Sequence, residues 1–132
     1  MKTAIKCLLV TLMYTIAHTS FAQTASNPCS IMLEGTFLYG NTKRLHQTIV
    51  IKNNIMTEDW GYGKLIITSN ITWINDCEYI STVLKVSEPN FKYNVGDRLT
   101  VKINKVRGSK IYYSVSKNGY NWDGHLIKQE EE

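Results

Sequence analysis

The chain has 132 residues, 43% of them hydrophobic, with 15 basic residues against 11 acidic for a formal charge of +4. That length carries one domain. The basic residues are scattered rather than gathered in a patch, which argues against a nucleic-acid partner.

The first 22 residues separate from the rest by composition. Met1 to Lys6 is a short basic start, Cys7 to Ala17 (CLLVTLMYTIA) is an uncharged and nearly wholly apolar run, and His18 to Ala22 is a polar end with small residues at Ser20 and Ala22. This layout predicts a secretory signal peptide over 1–22. Its apolar run is too short to cross a bilayer as an ordinary helix, so no stable membrane span is expected after cleavage. One domain of about 110 residues remains over 23–132, a usual size for a single core. Lys2 and Lys6 leave with the signal, so 13 basic residues stand against 11 acidic, a net of about +2. Cys7 leaves too. Cys29 and Cys77 remain, and an even pair in an exported protein predicts one disulfide. The expected location is periplasmic or secreted.

From Cys29 onward, alternation at period two dominates, with β-branched and aromatic residues between turn signals. Ile31–Tyr39 reads as a first strand, Gln47–Lys52 as a second and Ile55–Trp60 as a short third. Lys64–Ile74 alternates most clearly: Leu65, Ile67, Ile71 and Trp73 share one face, and only Ile66 and Ile74 disturb the pattern. Asn75-Asp76 reads as a two-residue turn, with Cys77 opening a fifth strand that runs to Val86. The faces of that strand are ambiguous, with Tyr79 and Val83 on one side and Ile80, Leu84 and Val86 on the other. Pro89 ends it, because proline cannot donate to a ladder, and Phe91–Asp97 is a loop closed by Val95-Gly96-Asp97.

Arg98–Val106 alternates again, with a slip at Lys105-Val106 that predicts a bulge beside the turn at Arg107-Gly108-Ser109. Ile111, Tyr113 and Val115 form the inner face of the next strand, and Asn118-Gly119 is the strongest hairpin signal in the chain. Tyr120, Trp122, Gly124 and Leu126 share a face of the last strand, and Lys128–Glu132 (KQEEE) reads as a solvated tail. The expected fold is all-β. It is an antiparallel up-and-down meander of about eight strands closing into a small barrel, with a two-sheet sandwich as the alternative.

Three stretches carry a resemblance: Cys29–Tyr39 (CSIMLEGTFLY), Trp73–Tyr79 (WINDCEY) and the turn at Gly96-Asp97. Together they resemble a family of small exported Bacteroidota proteins of uncharacterised function, which pair a cysteine and a G-T-F strand with a W-x-x-D-C-x-Y hairpin. The eight-strand pattern is similar to lipocalin-like barrels, a likeness of fold alone.

The residues that carry most chemistries do not form motifs here. His46 and His125 lie far apart without a second ligand at metal spacing, so neither a metal nor another cofactor is expected. Gly61-Tyr62-Gly63 reads as a turn, not a phosphate loop, and there is no nucleophile elbow. Glu58-Asp59 reads as a solvated strand end, since neighbouring strand residues point to opposite faces. No catalytic set is visible and an enzyme is not expected. The aromatic residues Phe37, Trp60, Trp73, Tyr79, Tyr113, Tyr120 and Trp122 are the candidates to line a cavity. A barrel of this size is expected to have an interior filled by side chains, with one small ligand space as the alternative.

The first expectation of function is thus a non-catalytic, monomeric binding or envelope-associated module. A carrier of a small apolar ligand is the second, and an inhibitor or interaction protein acting on a secreted enzyme or toxin the third.

Overall fold

The computed structural model describes residues 26–40 and 46–131. The segment read as a signal peptide, with Cys7, lies outside the described residues. Eight antiparallel strands succeed one another around a closed barrel: β1 (Gly35–Tyr39), β2 (Gln47–Lys52), β3 (Ile55–Trp60), β4 (Leu65–Asn75), β5 (Glu78–Val86), β6 (Arg98–Arg107), β7 (Lys110–Lys117) and β8 (Tyr120–Lys128). Each strand pairs with its chain neighbours, and β1 closes on β8 through Phe37–Lys128, Leu38–Ile127 and Tyr39–Leu126. The meander therefore resolves into a barrel, not a sandwich. Closure is what lets a helix-poor sheet bury one face and leave no edge strand.

The alternation in the sequence maps onto inside and outside. Ile49, Ile51, Met56, Ile67, Ile71, Tyr79, Val83, Val101, Ile103, Ile111, Val115 and Leu126 are all buried. Ile66 breaks the pattern in a regular register, paired with Asp59, whereas the ladders on β4–β5 and β6–β7 contain bulges. The β4–β5 register steps from Trp73–Tyr79 to Asn75–Glu78 and leaves Ile74 unpaired; next to inward Trp73, Ile74 points outward by alternation and is 53% exposed. A second step between Thr68 and Ser69 leaves Leu84 unpaired on β5. An extra residue inverts the parity of the rest of the strand, so Val83 and Val86 both pack inward against Leu65 and Ile67. The slip near Lys105 is a bulge too, with Asn104 skipped between the Ile103–Tyr113 and Lys105–Tyr112 pairs.

Two tight turns use left-handed backbone: Asn53-Asn54 between β2 and β3, and Asn118-Gly119 between β7 and β8. Paired positive φ values match the right-handed twist of the flanking strands. The β4–β5 turn is placed differently from the sequence reading. Its two residues are Asp76 and Cys77, and Asn75 pairs with Glu78 as the last rung. The cause is local. The Asn75 side-chain carbonyl accepts from the Cys77 N–H at 3.0 Å, and its amide donates to Glu78 at 3.2 Å, so Asn75 closes β4 by wrapping the turn with its own side chain.

The first strand also begins later than read. Pro28–Met32 is a short 3₁₀-helix, η1, and only Gly35–Tyr39 is strand. Asn27 caps it by accepting from the Cys29 N–H at 2.9 Å, and Pro28 stands where its missing N–H costs nothing. We call the end of the barrel covered by η1 the floor and the opposite end the mouth. Cys29 and Cys77 form a disulfide with a Cα separation of 5.2 Å that ties η1 to the β4–β5 turn. Asn27 adds a bond to the Asp76 carbonyl at 3.3 Å. Lys128, read as the start of a solvated tail, is the last residue of β8 and donates to the carbonyls of Ile31 and Glu34 at 3.0 and 2.7 Å. A cation on exposed carbonyls at a helix end satisfies groups that would otherwise face the barrel unpaired.

Candidate functional site

Strand parity assembles an interior site above the floor. On β3, Met56, Glu58 and Trp60 share a side, and all three line a cavity of about 140 Å³. Tyr39 from β1, Tyr79 and Ser81 from β5, Tyr113 from β7 and Trp122 from β8 line it too, with Met32 of η1 among its lining residues. A cavity of about this size in an apolar core accommodates one benzene-sized molecule. The filled interior expected from the sequence is therefore not what the barrel has: side chains leave this space open.

Of the seven aromatics that the sequence nominates, Trp60, Tyr79, Tyr113 and Trp122 line this cavity. Phe37 does not; it is wholly buried in the packed core, at 0% exposed. Trp73 does not; it is half-buried against the core, tilted on Tyr79 with ring centroids 5.0 Å apart. Tyr120 does not; it stands 79% exposed and borders an outer recess of about 420 Å³ together with Lys92, Tyr93, Lys117, Asn118 and Trp122. The recess and the cavity share Lys92, Tyr93 and Trp122, which places the way into the interior at the mouth.

The sequence reading misses Tyr39, Ser81, Lys92 and Tyr93 and, most consequentially, Glu58. Its neighbour in that reading, Asp59, does face outward, where it caps the β3–β4 turn by accepting from the Gly63 N–H at 2.6 Å. Glu58 faces inward. Its Oε2 accepts from the Tyr39 hydroxyl at 2.8 Å and from the Trp60 indole N–H at 3.2 Å. Glu58 has no other hydrogen bond among the described residues, and no buried side-chain polar atom of the described residues lacks a partner. Oε1 therefore opens onto the cavity. The same holds for the hydroxyls of Tyr79, Tyr113 and Ser81, which line the cavity without a hydrogen-bond partner among the described residues.

Burial pushes the Glu58 carboxyl above its ordinary value of 4.5, against the lowering effect of the Tyr39 and Trp60 bonds and of the Lys92 charge. Burial and then the Glu58 charge raise the phenols around it: Tyr113 to about 12, with Tyr39, Tyr79 and Tyr93 also raised. Linkage fixes the sign for Glu58. Its folded pKa lies above the unfolded one, so its contribution to stability is complete below about 4.5 and is lost as pH rises through the folded value. Glu58→Gln is expected to flatten that fall, measured by urea denaturation at about pH 4.5 and about pH 7.5. An unchanged slope would place the titration elsewhere. Asp97 acts in the opposite sense and at lower pH. The Lys117 hydrogen bond, then the Asn94 N–H, holds it below its ordinary 3.8, so its contribution is lost as pH falls.

The mouth is built by the β5–β6 loop. Its turn is pinned to β5, where Gly96 donates to the Val83 carbonyl and Val83 to the Asp97 carbonyl, both at 2.8 Å. Asp97 pairs with Lys117 of β7 at 2.6 Å. Upstream, Phe91 packs edge-on against both Trp60 and Tyr93. The Lys92 ammonium lies 5.1 to 5.9 Å from the rings of Trp60, Phe91 and Tyr93. Across the barrel, Gly124 leaves the space that the Tyr113 phenol fills: a Cβ at this position would stand 2.5 Å from the Tyr113 hydroxyl. Gly124→Ala is expected to displace that ring and destabilise by about 1–3 kcal/mol, measurable by urea denaturation. A neutral effect would show that the ring moves freely.

The histidines do other work. His46 stacks on Tyr62 at 4.3 Å, and His125 lies beside Tyr112 at 5.7 Å. Among the described residues no three His, Cys, Asp or Glu side chains gather as a metal site would require, and no helix is long and apolar enough to cross a membrane. No protein-family model, no curated protein and no solved structure matches the chain.

Proposed function

We propose that this protein is a non-catalytic, exported barrel that binds a small, largely apolar ligand in its interior. The observation that carries the reading is the cavity itself. It is enclosed by apolar walls at Ile49, Val101, Ile103, Ile111 and Leu126, holds a few polar groups without partners, and meets a wider recess at its mouth. Ligand sites combine these features: a mostly apolar lining with a small number of polar groups that fix orientation. The Cys29–Cys77 disulfide supports export, because such bonds persist in oxidising compartments.

The test is native mass spectrometry of protein purified from its source, paired with thermal denaturation in the presence of toluene. A co-purifying small molecule, or a saturable rise in Tm, is the expected result. Protein that carries nothing and gains no stability from toluene would refute the reading.

A further inference from the structure

We infer that the interior site takes a small organic amine, with its ammonium group on Glu58 and its apolar body among the aromatic walls. This rests on the interior-binding reading above and specifies the chemistry of the ligand.

Charge is the first ground. Glu58 is a carboxylate drawn inside a barrel, and it has no ion pair among the described residues. A carboxylate in such a place is costly unless a partner of opposite charge stands beside it. Among the described residues Lys92 contributes positive charge that reaches Glu58, but its ammonium sits out at the mouth against Trp60, Phe91 and Tyr93. That aromatic cluster already holds one cation at the way in.

Hydrogen bonding is the second. Tyr39 and Trp60 both donate to Oε2, which fixes the carboxylate and leaves Oε1 presented to the cavity. Around it stand the unengaged hydroxyls of Tyr79, Tyr113 and Ser81. An ammonium has three donors and no acceptor. It can give one hydrogen to Oε1 and the others to hydroxyl oxygens, and the rings of Tyr79, Tyr113 and Trp60 offer the negative faces that attract a cation. A carboxylate ligand would set like charge against Glu58. A neutral ligand would leave that charge uncompensated. The size of the cavity sets the body at roughly one six-membered ring, with room for a longer substituent in the outer recess.

Three ring compounds separate the possibilities by calorimetry on the whole protein at about pH 7.5: benzylamine, benzyl alcohol and benzoate. Benzylamine is expected to bind at least about tenfold more tightly than benzyl alcohol, as a charge-assisted bond to a partly buried carboxylate allows, with benzoate weakest. Glu58→Gln is expected to erase the preference for the amine while benzyl alcohol still binds, and Tyr113→Phe to weaken the amine selectively. An independent readout needs no variant. Acidification through the Glu58 titration should weaken benzylamine and leave benzyl alcohol unchanged. The groups that face Glu58 there are Tyr39 from β1, Trp60 beside it on β3, Tyr79 from β5, Lys92 and Tyr93 from the loop, and Tyr113 from β7. The neighbouring phenols are all raised and keep their protons in acid. Equal or tighter binding of benzyl alcohol or benzoate overturns the amine assignment and leaves the binding barrel standing. Failure of all three compounds to bind overturns both.

Discussion

Replacing Cys29 and Cys77 together by serine is expected to destabilise the protein by about 4 kcal/mol in the chain-entropy account of cross-links. The bond joins residues 48 apart in sequence, and the segment between them includes β1 to β4. Without the link, the unfolded chain regains the freedom to separate those ends. Against a usual total of about 5–15 kcal/mol, that is a large share. The barrel ladder does not itself depend on the bond, and η1 keeps its contacts with Lys128 and Asn27. The double variant should therefore fold, with a lower urea midpoint and an earlier loss of protection at η1 in hydrogen exchange. A loss below about 1 kcal/mol would mean that the denatured chain holds these ends together unaided.

Phe37→Ala is expected to cost about 3–5 kcal/mol. Phe37 is completely buried on β1, at the register pair that faces Lys128 across the closing seam. The Lys128 ammonium lies 5.6 Å from its ring while it also holds the carbonyls at the end of η1. Truncation removes the ring that fills this corner and loosens the β1–β8 join, a ladder of three register pairs flanked by the Gly40–His125 and Gln129–Thr36 backbone bonds. Urea denaturation gives the loss directly, and hydrogen exchange should show the largest change at β1 and β8. Uniform loss around the barrel would show that the seam is no weaker than the rest.

Much of the fold is legible because a barrel has only two sides, and each strand must declare them at period two. The ends of β2 and β3 come from that pattern and from the asparagine turns. The ambiguous faces of β5 are real information. They record the bulge at Leu84, where one residue inverts the parity. η1 is hidden because Ile31 and Met32 continue an apolar run into β1, and five residues are too few to show helical spacing. Four of the cavity aromatics are legible from parity. Phe37 and Trp73 share that parity but sit low in the barrel, where packing is tight, so facing inward does not say which depth holds the cavity. Glu58 is misread although its signal is present: it alternates with Met56 and Trp60, both inward. Its polar partner Tyr39 comes from another strand 19 residues away, and such a partner is invisible to local pattern.

The floor has a consequence for kinetics. It is fastened by a covalent bond and by a lysine on two carbonyls, whereas the described residues of the mouth are held by non-covalent contacts: the Gly96 and Val83 backbone bonds, the Asp97–Lys117 ion pair and rings in edge contact. Among the described residues the floor is closed and the recess meets the cavity at the mouth, so a guest that enters there also leaves there. Substitutions at Phe91, which packs at the rim but does not line the cavity, should then speed or slow arrival and departure by the same factor. Residence time and affinity become separable properties, the first set by the rim and the second by the depth of the cup.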